Sequence, residues 1–291
     1  MDTGSVSSVN EFKELYQELV MAMTSIFQRT RFAHKVPTEA VIGRLDKIEA
    51  LANTVGVLSQ LKNVGNSKEE YTYRHSVNVA VLSALLGKWL GLERPVVGDL
   101  MLAGALHDIG KSQVPLEILN KPGDLTSFEM QDMKQHTILG YQLLKDCETL
   151  PKLLRLWILQ HHERLDGSGY PYGYQGSKVS YHAQIIAVAD IYDAMTSSRV
   201  YRDADTPLKV ISELSAEMFG KLDPGICKVF LEKLAESLIG NSVRLNNGAE
   251  AEIIFWDMRL GNMKPVVKTA NGEYIDLEKA KELNIIKVIP S

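Results

Sequence analysis

Apolar residues recur along most of the chain at three- and four-residue spacing, the period of helices with one buried face. Phe12, Leu15, Leu19, Met23 and Ile26 mark the first such face. The capping-box pattern Ser8-Val9-Asn10-Glu11 predicts its start, residues 1–8 being a frayed polar end, and the helix runs to about Arg29. Pro37-Thr38 restarts a second helix, carried by Val41, Leu45, Ile48, Leu51 and Leu58, and Gly65-Asn66-Ser67 breaks the chain. Further helices are expected from about Glu69 to Leu90, through the apolar run 100–106, and from Thr126-Ser127-Phe128-Glu129 past His136 to Leu144. Others follow over Leu153, Leu154 and Ile158, over 181–197, and as two more reaching about Ile239. Pro115 and Pro122-Gly123 mark a loop anchored by Leu116, Ile118 and Leu119.

After Asn241 the period falls to two. Val243 and Leu245, Ala251 and Ile253, and Val266 and Val267 read as strands, with hairpin turns at Asn246-Asn247-Gly248 and Asn271-Gly272. Residues 276–283 read as one short helix before a last strand over 285–289. The expected architecture is mainly α: a helical leader (1–65), a helical bundle (66–238) and a small β-rich tail (239–291). Neither leader nor tail carries a cluster of reactive side chains. The leader is expected to pack or to form a homodimer, and the tail to be structural.

Composition narrows the function classes. With 291 residues and 45% hydrophobic content the chain can bury a real core, and a net charge of -4 argues against binding a nucleic-acid polymer. An anionic substrate must then be held by local cations or by metal. Cys147 and Cys227 share no ligand-like spacing, which fits a reducing compartment. No signal-peptide pattern opens the chain, and the longest apolar stretch, 77–92, contains Asn78 and Lys88. A cytoplasmic protein without membrane insertion is expected.

The chemistry centres on His107-Asp108-Ile109-Gly110-Lys111, which ends the apolar run. Alone, this stretch reads equally well as a helix end with a His cap and a Gly stop. Its neighbours change the picture. Of seven histidines, five (His75, His107, His136, His161 and His162) fall beside helix ends or on apolar helical faces. Asp108 and Asp190 are embedded in apolar runs, where unpaired carboxylates are rare. Each has an ordinary packing explanation by itself. Together, five imidazoles and two carboxylates are too many for one tetrahedral zinc and suit two octahedral cations with open or water-filled positions.

The order of these residues resembles the HD-GYP branch of the HD-domain metal-dependent phosphohydrolases. The matching residues are His75; the His107–Lys111 string; His136; His161-His162-Glu163-Arg164-Leu165-Asp166-Gly167-Ser168-Gly169-Tyr170-Pro171; and Asp190, over about 66–238. The resemblance implies an HD-domain helical bundle that hydrolyses cyclic di-GMP to pGpG, and sometimes on to GMP. It implies one metal on His75, His107, Asp108 and Asp190, and a second on His136, His161, His162 and the shared Asp108. The metals would be iron or manganese and would activate a hydroxide for attack on phosphorus. Asp108 and Lys111 would be catalytic, Lys111 steadying the attacked phosphate while Arg199 and Arg202 hold the other. Gly169, Tyr170, Pro171, Asp193 and Thr196 would complete the substrate side, with Asp193 also orienting its neighbours. Arg164 and Asp166 would form a surface pair or a loop staple. Another cyclic dinucleotide such as cyclic GMP-AMP, or a non-catalytic receptor or docking role, are the alternatives. GGDEF-type diguanylate cyclases are expected partners through the GYP loop.

Two departures from the family pattern matter. Tyr71 stands where members with a third metal have Glu, and Glu70 lies about 100° away around a helix. Two metals and mainly pGpG are therefore expected. Val200 replaces a common Pro in Ser198-Arg199-Val200-Tyr201-Arg202, while both arginines persist.

Overall fold

A computed structural model describes residues 3–51, 58, 61, 70–197, 207–217, 220–258 and 264–289. The leader comprises α1 (Thr3–Ala33) and α2 (Glu39–Leu51). Helix α1 begins earlier than expected, so Ser8-Val9-Asn10-Glu11 lies inside it. Residues 3–8 contain no proline, and their modest helix propensities do not stop a helix already nucleated. It ends where His34 turns to φ 52°, a left-handed stop. Phe12, Tyr16, Leu19, Met23 and Ile26 are buried and share one core with the helices that follow.

Helices α3 (Tyr71–Trp89) and α4 (Arg94–Leu106) form an antiparallel pair turned at Gly91, which has φ 72°. They cross closely at Gly104, where a Cβ would lie 2.8 Å from Val79 O and 2.9 Å from Ala80 Cα. A 3₁₀ turn (Ile109–Gln113) follows α4. Gly110 is no helix stop. A Cβ there would sit 1.9 Å from His136 O, so only glycine lets this turn press against the next ligand-bearing helix.

The predicted 115–122 loop contains a short helix, α5 (Leu116–Leu119). Its expected anchor Leu116 is exposed, and the buried residue is Val114. The helix predicted from Thr126 is two helices, α6 (Ser127–Lys134) and α7 (His136–Leu144), divided at Gln135. Thr126 and Glu129 form the capping box that opens α6. Then come α8 (Lys152–Gln160), α9 (Tyr181–Thr196), α10 (Pro207–Glu217) and α11 (Pro224–Leu238).

The chain closes with an antiparallel sheet of order β4-β3-β2-β1-β5, from β1 (Ser242–Leu245), β2 (Glu250–Phe255), β3 (Val266–Thr269), β4 (Tyr274–Asp276) and β5 (Ile285–Ile289). Val243, Leu245, Ala251 and Ile253 face the core, as their alternation requires. Gly248 and Gly272 supply positive φ at the two expected hairpin turns. The predicted 276–283 helix is absent. Val266 pairs with Asp276 in the sheet, and the Asp276 carboxylate accepts the Glu278 N–H, a local turn that competes with helix. Among the described residues, no helix is long and apolar enough to cross a membrane.

Candidate metal centre

Helix ends deliver most of the cluster. His107 follows α4, His136 opens α7 and His161 follows α8; each donates its Nδ1 proton to the carbonyl three residues back, on Gly104, Met133 and Ile158, at 2.7, 2.7 and 2.6 Å. His75, within α3, instead donates Nδ1–H to Asp193 Oδ2 at 2.7 Å. With Nδ1 tied down, each ring turns its Nε2 into the cluster. These nitrogens converge. His75 Nε2 lies 3.1 Å from Asp190 Oδ1 and 3.7 Å from Asp108 Oδ2, and His107 Nε2 lies 3.4 Å from Asp108 Oδ2. On the other side, His136 Nε2 lies 3.4 Å from Asp108 Oδ1 and 3.4 Å from His161 Nε2.

The two oxygens of Asp108 thus face different sets of imidazoles. Asp190 also reaches both sides, since its Oδ2 lies 3.9 Å from His162 Nδ1. His107 Nε2 and Asp108 Oδ1 are fully buried without a hydrogen-bond partner, although buried polar atoms are almost always satisfied. The donor set, its convergence and these two atoms fit metal ions. The triads His75–His107–Asp108, His136–His161–His162 and His107–His161–Asp190 each place one ligand atom per residue within 4.8 Å of the others.

Charge divides the cluster. Burial disfavours the imidazolium of His75, but hydrogen bonds to Asp190 and Asp193 outweigh it and push the pKa up to about 9. Burial pushes His136 down to about 4, helped by Lys111 and His107 against the pull of Asp108. Burial also drives His161 and His162 well below the usual imidazole range. Asp108 and Asp190 lie well below the carboxylate range: burial opposes ionisation, but Lys111 and His107 for Asp108, and His75 for Asp190, overcome it.

The sequence profile of the HD domain matches residues 59–226, more than half of the chain. The chain belongs to the HD-domain family. It is 38% identical over 231 residues to the cyclic di-GMP phosphodiesterase PA4108 of Pseudomonas aeruginosa, covering 78% of this chain and 55% of that protein. It is 36% identical over 181 residues to the 3'3'-cGAMP-specific phosphodiesterase 1 of Vibrio cholerae, covering 59% and 40%. The chain spans about half the length of these curated relatives. The solved structure of Bd1817, an HDG"Y"P protein from Bdellovibrio bacteriovorus, shares the fold, with TM-score 0.61 at 20% identity over 80% of this chain and 74% of that one.

The residues expected on the substrate side are placed as follows. Lys111 donates to Asp108 Oδ2. Asp193 is buried, its oxygens taken by His75, Asn78 and Ser197, so it orients His75 and presents no free oxygen to a substrate. The Thr196 hydroxyl is bonded to Tyr192 O. Gly169 allows close packing, since a Cβ there would come within 2.4 Å of Arg164 N and His162 O. Tyr170 stacks on His162 with ring centroids 4.6 Å apart, and Lys134 Nζ lies 5.2 Å from the centre of its ring. Pro171 follows it, half-buried. Arg164 and Asp166 serve their own loop: Arg164 donates to His161 O and Glu163 O, and Asp166 accepts from Ser168. Glu70 is exposed, whereas Tyr71 stacks on His75 at 5.7 Å. Arg199, Arg202 and the rest of the 198–202 string lie outside the described residues.

Glu163 has a role that sequence reasoning missed. Fully buried, it accepts the backbone N–H of Tyr172 at 2.8 Å and of Tyr174 at 3.0 Å, which fixes the GYP loop beside the cluster. The available signal was a carboxylate directly after two histidines at an apolar helix end.

Proposed function

We propose that this chain is a metal-dependent phosphodiesterase that hydrolyses cyclic di-GMP, mainly to pGpG. The observation that carries the reading is Asp108, whose Oδ2 faces His75 and His107 while its Oδ1 faces His136. His75, His107, Asp108 and Asp190 would hold one metal, and His136, His161, His162 and Asp108 the other. Iron or manganese suits this mixture of imidazole and carboxylate. Once bound, the pair would supply hydroxide at neutral pH and offset charge on the phosphate.

The chain's own residues prepare that chemistry. Backbone carbonyls and Asp193 fix the imidazole tautomers, and Glu163 holds the GYP loop in place. Lys111, which reaches Asp108, would steady the scissile phosphate as a point charge. Arg199 and Arg202 would take the second phosphate, and Tyr170 would line the rim. The exposure of Tyr172 supports contact of the GYP loop with a GGDEF-type cyclase, and that of Met21 and Phe32 on α1 supports a homodimer through the leader. The chain would act in the cytoplasm.

The relative named for 3'3'-cGAMP, at nearly the same identity as the cyclic di-GMP enzyme, favours one second reading: hydrolysis of cyclic GMP-AMP. The test is anaerobic purification followed by chromatography of both cyclic dinucleotides incubated with the protein. Cyclic di-GMP should be consumed faster, with pGpG accumulating. Faster loss of cyclic GMP-AMP would transfer the assignment to that substrate, and no loss of either would refute the reading.

A further inference from the structure

The leader reaches the metal centre. Tyr16 of α1 is fully buried, and its hydroxyl lies 2.7 Å from Asn78 Oδ1. Asn78 Nδ2 lies 2.7 Å from Asp193 Oδ1, and Asp193 Oδ2 accepts the Nδ1 proton of His75 at 2.7 Å. The direction of this chain is fixed by chemistry. An ionised carboxylate only accepts, so the amide nitrogen of Asn78 must face Asp193. Its oxygen then faces Tyr16, whose hydroxyl must donate.

Helix α1 also braces the other side of the His75 triad. Arg31 donates to Val114 O at 3.1 Å and to Lys111 O at 3.3 Å, and Gln113 donates to Thr30 O at 3.0 Å. The turn that follows Asp108 is therefore pinned to the same helix that carries Tyr16. Packing alone would not require a polar link running from a leader phenol to a ligand ring.

We propose that Tyr16 is a positioning residue for the metal centre, setting the orientation of His75 through Asn78 and Asp193. This rests on the reading that His75 holds a metal. Removing the hydroxyl leaves a buried acceptor on Asn78 without its donor and frees the amide to turn. A turned amide would aim its oxygen at Asp193 and loosen the bond that orients the His75 ring.

The test is Mn(II) titration of the metal-stripped full chain, with free ion followed by electron paramagnetic resonance. Tyr16→Phe keeps the ring and should weaken one of two sites about 3- to 10-fold, below the roughly 10- to 100-fold typical of a group bonded directly to a ligand. Asn78→Leu should weaken the same site at least as much. Phe12→Leu trims a buried ring 6.2 Å from Tyr16 and serves as the packing control; it should lower the thermal midpoint and spare both affinities. Wild-type affinities in Tyr16→Phe or in Asn78→Leu, or equal weakening by Phe12→Leu, would overturn the proposal. Two Mn(II) bound equally by the unmodified chain and Tyr16→Phe would refute this inference alone. No Mn(II) bound by the unmodified chain would refute the metal reading and this one with it.

Discussion

His75 and the trio His136, His161 and His162 share one buried cluster yet favour opposite charge states. His75 faces carboxylates on Asp190 and Asp193 and holds its proton up to about 9. The trio also meets Asp108 and Asp190, but burial and the neighbouring imidazoles outweigh their pull and keep those rings neutral. Both environments are dry, so dryness alone does not set the protonation of a buried imidazole; the neighbouring charge decides it. For a metal site the contrast means that the trio offers ready ligands. The His75 side must release a proton before its Nε2 can bind a cation.

Removing what the two sides share should have the largest effect. Asp108→Ala should lower cyclic di-GMP turnover by roughly 10³-fold or more, since metal stabilisation of a phosphoryl transition state is worth several kcal/mol. Turnover within tenfold of the unmodified protein would break the shared-carboxylate account. Separating the sides comes next. His75→Ala and His136→Ala should each release one metal and retain the other, with affinity at the damaged site falling by about 10- to 100-fold or more. Loss of both metals from either variant, counted by elemental analysis, would show that the sides are not separable.

The charge contrast also predicts how metal-free protein responds to pH. His75 is raised above its ordinary 6.5, so its contribution is fully present below about 6.5 and is lost as pH rises through about 9. That separation is worth on the order of 3 kcal/mol, at about 1.4 kcal/mol per pH unit. The trio has the opposite sign. Below 6.5 the unfolded chain takes up protons that the folded rings refuse, so stability falls as pH drops from 6.5 towards about 4 for His136 and further for the others. Urea midpoints should therefore peak near neutrality and fall at pH 5 and at pH 9. A midpoint that rises from pH 7 to 9 would contradict the assignment of His75.

The smallest expected effect concerns Tyr71, stacked on His75. Tyr71→Glu should raise third-metal occupancy and GMP yield by a few-fold, because carboxylate binds hard cations better than a neutral phenol. Unchanged metal content and product ratio would show that this position does not govern the second cleavage.

The His/Asp cluster was legible because ionisable residues stand out against apolar helical runs. Asp108 and Asp190 stood out as carboxylates in apolar runs, whereas His75 gained meaning only beside the other histidines. The alternation of Val243, Leu245, Ala251 and Ile253 likewise announced the sheet. What escaped was long-range or backbone-directed. Tyr16 reads as one more core aromatic because its partner lies 62 residues away. Glu163 serves backbone N–H groups of a loop, which have no side-chain signature. The break at Gln135 carries no proline or glycine, and the turn after Asp276 depends on pairing with Val266 across the sheet.

The most direct test of the central claim is the number of metals per chain in anaerobically purified, unmodified protein, with product followed over time. The account predicts two tightly held iron or manganese ions per chain and accumulation of pGpG. One metal, three tightly bound metals, or rapid full conversion to GMP would contradict it.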